Sequence, residues 1–292
     1  MTRRQVVDTF MVNNEFDVLE LRLNEMGPAV DWFVAVEADV DHQNHPKPYY
    51  LSDNLDRFAA WSEKLIVVQA SGLPDTDHLV DPWAREIAQR EWVTEGLRRI
   101  PGLAGGDVIL HGDVDELVAP LFVRNARPKP GELVTFGQRL HCFAVDWQHP
   151  DHWWGTVAAT LDTITGLGER PFKKIRNGRG GVGPMSLTML DRPPDHFAVE
   201  VDPYGPKVTG RRLPNAGWHF SWLGGTDAAL AKLGSFCHPE IADRTAVKLA
   251  KGLCTIEGEH VDGTRMTPVD VDDTWPAWIV DGHAPASWFR PR

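Results

Sequence analysis

The stretch DVILHGDVDEL, residues 107–117, decides how this chain is read. Its first five residues form a short apolar run of strand length, the pattern of a strand buried on both faces. Gly112 ends the run, and Asp113-Val114-Asp115-Glu116 follows with no spacer. An acidic pair at a strand end can hold a hard divalent cation and leave coordination positions for diphosphate oxygens. Asp-x-Asp alone says little, because it recurs at 39–41, 75–77 and 270–272. Only the pair at 113–115 reads as following a buried strand directly; the other three read as solvated acidic turns.

Outward from this stretch, strand and helix patterns alternate through the first 120 residues. Residues 5–12 read as a short buried strand. Asn13 or Asn14 caps a helix to Met26, with Phe16, Leu19, Leu23 and Met26 on one face, and Gly27-Pro28 stops it. Residues 31–38 (DWFVAVEA) form a second strand with Glu37 near its end. A loop rich in Pro, His and Asn covers 39–50, a helix runs from 52 to 64, and residues 65–70 (LIVVQA) form a third strand. Asp81-Pro82 opens a helix to about Ile100. The alternation predicts an α/β domain with a mostly parallel central sheet flanked by helices. Ligands of such sheets bind beyond the carboxyl ends of the strands, so Glu37 and residues 113–116 arrive at one rim. No linker divides the chain, which predicts a single domain over 1–292 with a ligand-binding half in 1–120 and a second half in 121–292.

The second half is less regular. Residues 132–147 read as one long strand or a hairpin, and 216–222 (AGWHFSW) as a strand with His219 in its middle. Helices are expected at 226–236, opened by Thr226, and at 241–253, and the last 35 residues wrap the surface. Arg170-Pro171-Phe172-Lys173-Lys174-Ile175-Arg176, with Arg179 and the glycines of 178–183, could neutralise a diphosphate or serve as a solvated basic face. His219 reads either as a core histidine or as a ligand, and His238 and Glu240 flank Pro239 at a helix start.

Composition narrows the function classes. A formal net charge of -11 argues against a nucleic-acid binder, which holds phosphates with an excess of Lys and Arg. Three cysteines without paired spacing predict neither a disulfide framework nor a thiolate zinc site. No stretch approaches a membrane span or a signal-peptide core, which predicts a cytoplasmic protein with no transmembrane segment. The chain contains no Walker sequence, no strand–GxGxxG–helix, no GxSxG and no HExxH, so P-loop, Rossmann, serine-hydrolase and zincin chemistries are poor readings.

Several segments in order resemble glycosyltransferase family 17: VNNEFDVLELRLNEM (12–26), DWFVAVEAD (31–39), PKPYY (46–50), PWAREIAQR (82–90), DVILHGDVDEL (107–117), AGWHFSWLGG (216–225) and KLGSFCHPEI (232–241). The resemblance implies a GT-A-like fold, a UDP-GlcNAc donor, a divalent metal (Mn²⁺ or Mg²⁺) and an inverting transfer to a carbohydrate-type acceptor. It places Asp113 and Asp115 in the family's metal and nucleotide motif and makes His219 the candidate third ligand. Donor binding is then expected at Glu37, Arg85, Asp113, Lys173, Lys174 and Arg176, and the catalytic base among Glu116, Asp146 and Glu240. Two other classes fit the same residues, a non-catalytic glycan-binding protein on the same scaffold and a metal-dependent phosphohydrolase or nucleotidyltransferase. The sequence shows neither the anchor nor the cysteine-rich context of the animal members, so a lipid-linked intermediate, a polysaccharide or a small metabolite is expected as acceptor more naturally than a protein glycan.

Overall fold

A computed structural model describes residues 3–77, 79–177, 196–199, 207–235 and 239–291, with the backbone alone at 196–199 and 239–241. The elements in chain order are β1 (Val6–Met11), α1 (Phe16–Met26), β2 (Trp32–Ala38), a 3-10 segment (Ser52–Trp61), β3 (Leu65–Ala70), α2 (Ala84–Glu91), α3 (Val93–Leu97), β4 (Val108–Asp113) and β5 (Glu116–Val118). They continue as α4 (Pro120–Asn125), β6 (Glu132–Cys142), β7 (Trp147–Thr160), α5 (Leu161–Gly166), α6 (Pro171–Asn177), β8 (His196–Val199), β9 (Val208–Ser221), α7 (Gly225–Leu233), α8 (Pro239–Ala250), β10 (Thr267–Pro268) and α9 (Ala277–Val280).

One sheet runs in the order β3-β2-β1-β4-β7-β6-β9-β5, with β8 on β9 and β10 on β7. The α/β class with flanking helices holds, and the parallel character belongs to β1–β4, where each pairing is parallel. Beyond β4 the sheet is mixed: β4 meets β7 antiparallel, β6 and β7 form a hairpin, and β6 lies parallel to β9. The reason is connectivity. Short βαβ crossovers force parallel neighbours in the first half, whereas the turn between β6 and β7 forces an antiparallel pair.

The strand order reverses between β1 and β4, since the chain builds β2 and β3 on one side of β1 and then places β4 on the other. A crevice therefore opens at the carboxyl ends of these two strands. Residues 12–15 and 113–116 lie at those ends. Asp39 directly follows β2, so the pair at 39–41 also stands at a strand end, contrary to the sequence reading. There Asp41 holds its own loop, accepting from the backbone N–H of Gln43 and His45.

Two apolar layers cover the sheet. One contains Phe10, Leu19, Leu23, Phe33, Phe136 and Phe220; the other contains Val34, Val68, Leu97, Ile109 and Phe172. The C-terminal segment wraps the surface as expected but also enters the first layer with Trp275, Ile279 and Trp288.

Several local readings change. The helix expected from Asp81-Pro82 starts at Ala84 and breaks at Trp92 into α2 and α3. The 52–64 helix is a kinked 3-10 segment, and α7 opens at Gly224 in the left-handed region rather than at Thr226. Cys142 and Cys254 are buried free thiols; Cys237, Arg179, His238 and the 178–183 loop lie outside the described residues. Among the described residues no helix is long and apolar enough to cross a membrane.

Candidate functional site

The turn joining β4 to β5 carries the acidic run, and glycine makes room for it. A Cβ on Gly112 would lie 2.7 Å from Glu116 Oε2, and one on Gly155 would lie 2.6 Å from Glu116 Cδ. The space left by these absent methyls lets the Glu116 carboxylate enter the interior. It accepts from Arg176 Nη1 and Nη2, each at 2.6 Å, from Trp153 Nε1 at 2.6 Å and from the Asp113 backbone N–H at 3.0 Å. With both oxygens engaged inside the fold, Glu116 shapes the turn.

Arg22 shapes it from below. It is fully buried, pairs with Asp8 through two bonds of 2.7 Å, and donates through Nη1 to the carbonyls of Asp113, Val114 and Glu116 at 2.8, 3.2 and 2.8 Å. A planar guanidinium with five donors is suited to holding a carboxylate and three carbonyls together.

The two aspartates of the turn then part company. Asp113 accepts from Arg90 Nη2 at 2.7 Å and from Arg176. Burial disfavours charge on both guanidiniums, but Asp113, with Glu86 on Arg90 and Glu116 on Arg176, raises their pKa above the ordinary arginine value. Asp115 faces other company. Its Oδ1 lies 3.4 Å from His219 Nε2, and its Oδ2 lies 3.3 Å from Lys232 Nζ on α7. Burial alone would push this carboxyl up; the Lys232 ammonium and His219 overcome it and hold the pKa down at about 2.

His219 is placed by the sheet, since β5 pairs with β9 so that Glu116 stands opposite His219, and Phe220 N–H donates to the Asp115 carbonyl at 2.9 Å. Its ring lies 4.8 Å from that of Trp153, and its buried Nδ1 has no hydrogen-bond partner. Asp115 and His219 thus come together, as the sequence reading required. Asp113, the other expected ligand of the motif, is turned to its two arginines, and these three residues do not form a convergent three-ligand cluster.

Two more polar groups, in the segments that follow β1 and β2, are unsatisfied. Asn13 Oδ1, just past β1, is buried without a hydrogen-bond partner, and so is Lys47 Nζ. Burial lowers the Lys47 pKa, opposed by Glu37, Glu15, Asp41 and Asp39. Glu15 also acts on Lys232, so both ammoniums lie around the same carboxylate. A buried polar atom without a partner is costly, and a bound ligand is one way to satisfy it.

The remaining expected residues have structural partners. Glu37 is fully enclosed and accepts from the backbone N–H of Leu51 and Ser52 and from the Ser52 hydroxyl, which anchors the start of the 3-10 segment. Arg85 ties the 39–50 loop to the following one through Asn44 Oδ1, His42 O and Thr76 O. Lys174 donates to Leu167 O at 2.8 Å, and the Lys173 backbone N–H is held by Glu91. Within the basic stretch, Arg176 is the residue that reaches the acidic turn. Asp146 holds Arg290 through two bonds and so fastens the C-terminal segment. Glu240 sits in the first turn of α8, with its side chain outside the described residues.

Arg22, Lys47, Arg90 and Lys232 were not singled out from the sequence, yet each lies inside a segment that carried the family resemblance. Residues 1–129 match the family model of glycosyltransferase family 17. A β-1,4-mannosyl-glycoprotein 4-β-N-acetylglucosaminyltransferase of Homo sapiens is 25% identical over 274 residues, covering 90% of this chain and 50% of that protein. That of Rattus norvegicus is 25% identical over 224 residues, covering 75% and 40%. The chain therefore spans about half or less of the length of these relatives. Among solved structures, the apo glycosyltransferase GlyE of Streptococcus pneumoniae overlaps 60% of this chain and 38% of its own at 13% identity and a TM-score of 0.30. A mycobacterial protein overlaps 95% and 88% at 15% identity and a TM-score of 0.41. The chain is similar to glycosyltransferase family 17, and the matched segment is the one that builds the β1–β4 crevice and the acidic turn.

Proposed function

We propose that this chain is a glycosyltransferase of GT-A type that moves a sugar, GlcNAc by resemblance, from a UDP-sugar donor to a carbohydrate-type acceptor hydroxyl. The observation that carries the reading is the Asp115–His219 pair at the crevice where the strand order reverses. Its oxygen and nitrogen, 3.4 Å apart, have the spacing of neighbouring ligands on one divalent ion, while Lys232 occupies the other carboxylate oxygen. Mn²⁺ or Mg²⁺ would be held by Asp115 and His219, with diphosphate oxygens and water completing the shell. Such an ion supplies positive charge to the departing diphosphate.

The chain's own residues do the rest. Lys232 keeps Asp115 ionised. Lys47, an ammonium without a hydrogen-bond partner, offers a charge to phosphate or to the nucleotide, and Asn13 Oδ1 offers an acceptor. Arg90 and Arg176 fix Asp113 and the turn, and the buried Glu116 positions Arg176. The acceptor enters from the side built by the second half, where Trp153 borders His219.

Product analysis with UDP-GlcNAc and Mn²⁺ tests the reading. The proposal predicts UDP release that requires metal. Replacing Asp115 with Ala should lower it on the order of 10²–10³-fold, the usual loss for a removed transition-state charge stabiliser, while circular dichroism is retained. UMP and sugar phosphate as products would place the chain among phosphohydrolases or nucleotidyltransferases. Glycan binding without turnover would make it a lectin on this scaffold.

A further inference from the structure

A second constellation lies on β7 and the turn that follows α8. His149 is on β7; His260 and Asp262 are in the 258–265 turn, which is closed by a bridge between Glu259 and Arg265. One ligand-type atom from each of the three lies within 4.8 Å of the other two, and this is the group of three that meets that spacing among the described residues. His260 Nδ1 is 3.0 Å from Asp262 Oδ1, and His149 Nε2 is 3.8 Å from Asp262 Oδ2. The His149 side chain is wholly enclosed, and its Nε2 is buried with no hydrogen-bond partner. The two imidazole rings are 4.8 Å apart and 70° to one another, so they do not stack. An enclosed ring nitrogen facing a carboxylate and a second imidazole needs either a proton acceptor at close range or a cation between them.

We propose that His149, His260 and Asp262 form a binding site for a divalent transition-metal ion, zinc by the chemistry of its donors, separate from the Asp115 centre. Two imidazoles and one carboxylate are a zinc ligand set, whereas Mg²⁺ and Ca²⁺ favour oxygen. The Asp151 N–H donates to His149 Nδ1 at 3.1 Å, so His149 without metal carries its proton on Nε2. Metal binding at Nε2 moves that one proton, by way of solvent, to Nδ1 with no net release, and the resulting Nδ1–H tautomer gives up the bond from Asp151 N–H. Asp151 Oδ2, 3.9 Å from Nδ1 on a half-exposed side chain, is the acceptor such a tautomer needs. A carboxylate behind a ligating histidine is the usual outer support of zinc sites. Asp262 is nearly half exposed, which leaves the ion open to water on that side.

The ion's place in the fold gives it a structural task. Trp147 Nε1 donates to Thr255 O, and Met266 N–H to Gly258 O, so the turn already lies against β7 beside a small apolar cluster of Leu140, Cys142, Trp147, Trp222, Cys254 and Met266. A metal bridging β7 and the turn would lock this third core.

The test strips the purified chain with a chelator, reloads it with Zn²⁺ alone, desalts it and counts zinc by mass spectrometry. The wild-type chain, and equally an Asp115→Asn chain, should retain about one zinc per molecule and melt at a higher temperature with zinc than without. Asp262→Asn and His260→Gln should retain almost none and show no zinc-dependent rise, while their melting without zinc stays near wild type. Loss of zinc in Asp115→Asn with retention in Asp262→Asn would overturn the proposal, as would a wild-type chain that retains none.

Discussion

Asp113 and Asp115 stand two residues apart on one turn and occupy contrasting environments. On the Asp113 side, two guanidiniums close on the carboxylate, with Glu86 and Glu116 completing a lattice of alternating charge. On the Asp115 side the carboxylate meets an ammonium at one oxygen and an imidazole at the other, and the imidazole has an unsatisfied nitrogen. The first arrangement consumes the carboxylate's capacity and fixes backbone. The second leaves a ligand edge. An acidic motif is thus two parts with two tasks, and the motif alone does not say which residue has which.

The largest effect that would disturb this comparison comes from beneath the turn. Arg22→Ala leaves Asp8 buried without its partner and frees three carbonyls, so a loss of about 3–5 kcal/mol in urea unfolding is expected. Arg22→Lys should recover little of it, because an ammonium cannot fork onto Asp8 while bonding the turn. Near-wild-type stability in Arg22→Ala would show that the turn holds itself.

A smaller effect separates the two sides by pH. Asp115 is depressed to about 2 from an ordinary 3.8, so its contribution is fully present above about pH 4 and is lost as pH falls through about 2. The wild-type chain should exceed Asp115→Asn by about 2 kcal/mol at pH 5, and the gap should close toward pH 2. A gap that persists at pH 2 would mean that packing rather than charge stabilises this flank.

The smallest expected effect lies at the edge of the crevice. Lys47→Ala removes a buried ammonium with no hydrogen-bond partner, so stability should change little while the KM for UDP-GlcNAc rises about tenfold, equivalent to about 1.4 kcal/mol of donor binding. An unchanged KM would detach Lys47 from the donor.

How much of this was legible in the sequence follows from how local each feature is. LIVVQA appears as β3 with the residues read for it, and β2 and β4 shift by a residue or two, because each is a self-contained apolar run between turn signals. The parallel ladder of β6 on β9 joins residues more than 70 apart, such as Glu132 and Thr209, and no local pattern announces such a pairing. The basic stretch 170–176 read as a diphosphate-neutralising cluster or a solvated face because two lysines and two arginines dominate its composition. Its inward side is Phe172, Ile175 and Arg176, a helical spacing that buries an arginine against two carboxylates. Arg22 and Arg90 were hidden for the same reason: a cation on a helix reads as surface until its buried acid is known. Glu37 shows the opposite limit. Its place at a strand end was legible, but the two backbone amides that occupy it come from a loop 14 and 15 residues later.

The division of labour between the two aspartates is most directly tested by titrating Mn²⁺ into the chain in the presence of UDP, comparing Asp113→Asn with Asp115→Asn. The account predicts that Asp115→Asn loses Mn²⁺ binding while keeping its fold, and that Asp113→Asn keeps Mn²⁺ binding but unfolds more easily. Mn²⁺ binding retained in Asp115→Asn and lost in Asp113→Asn would contradict it.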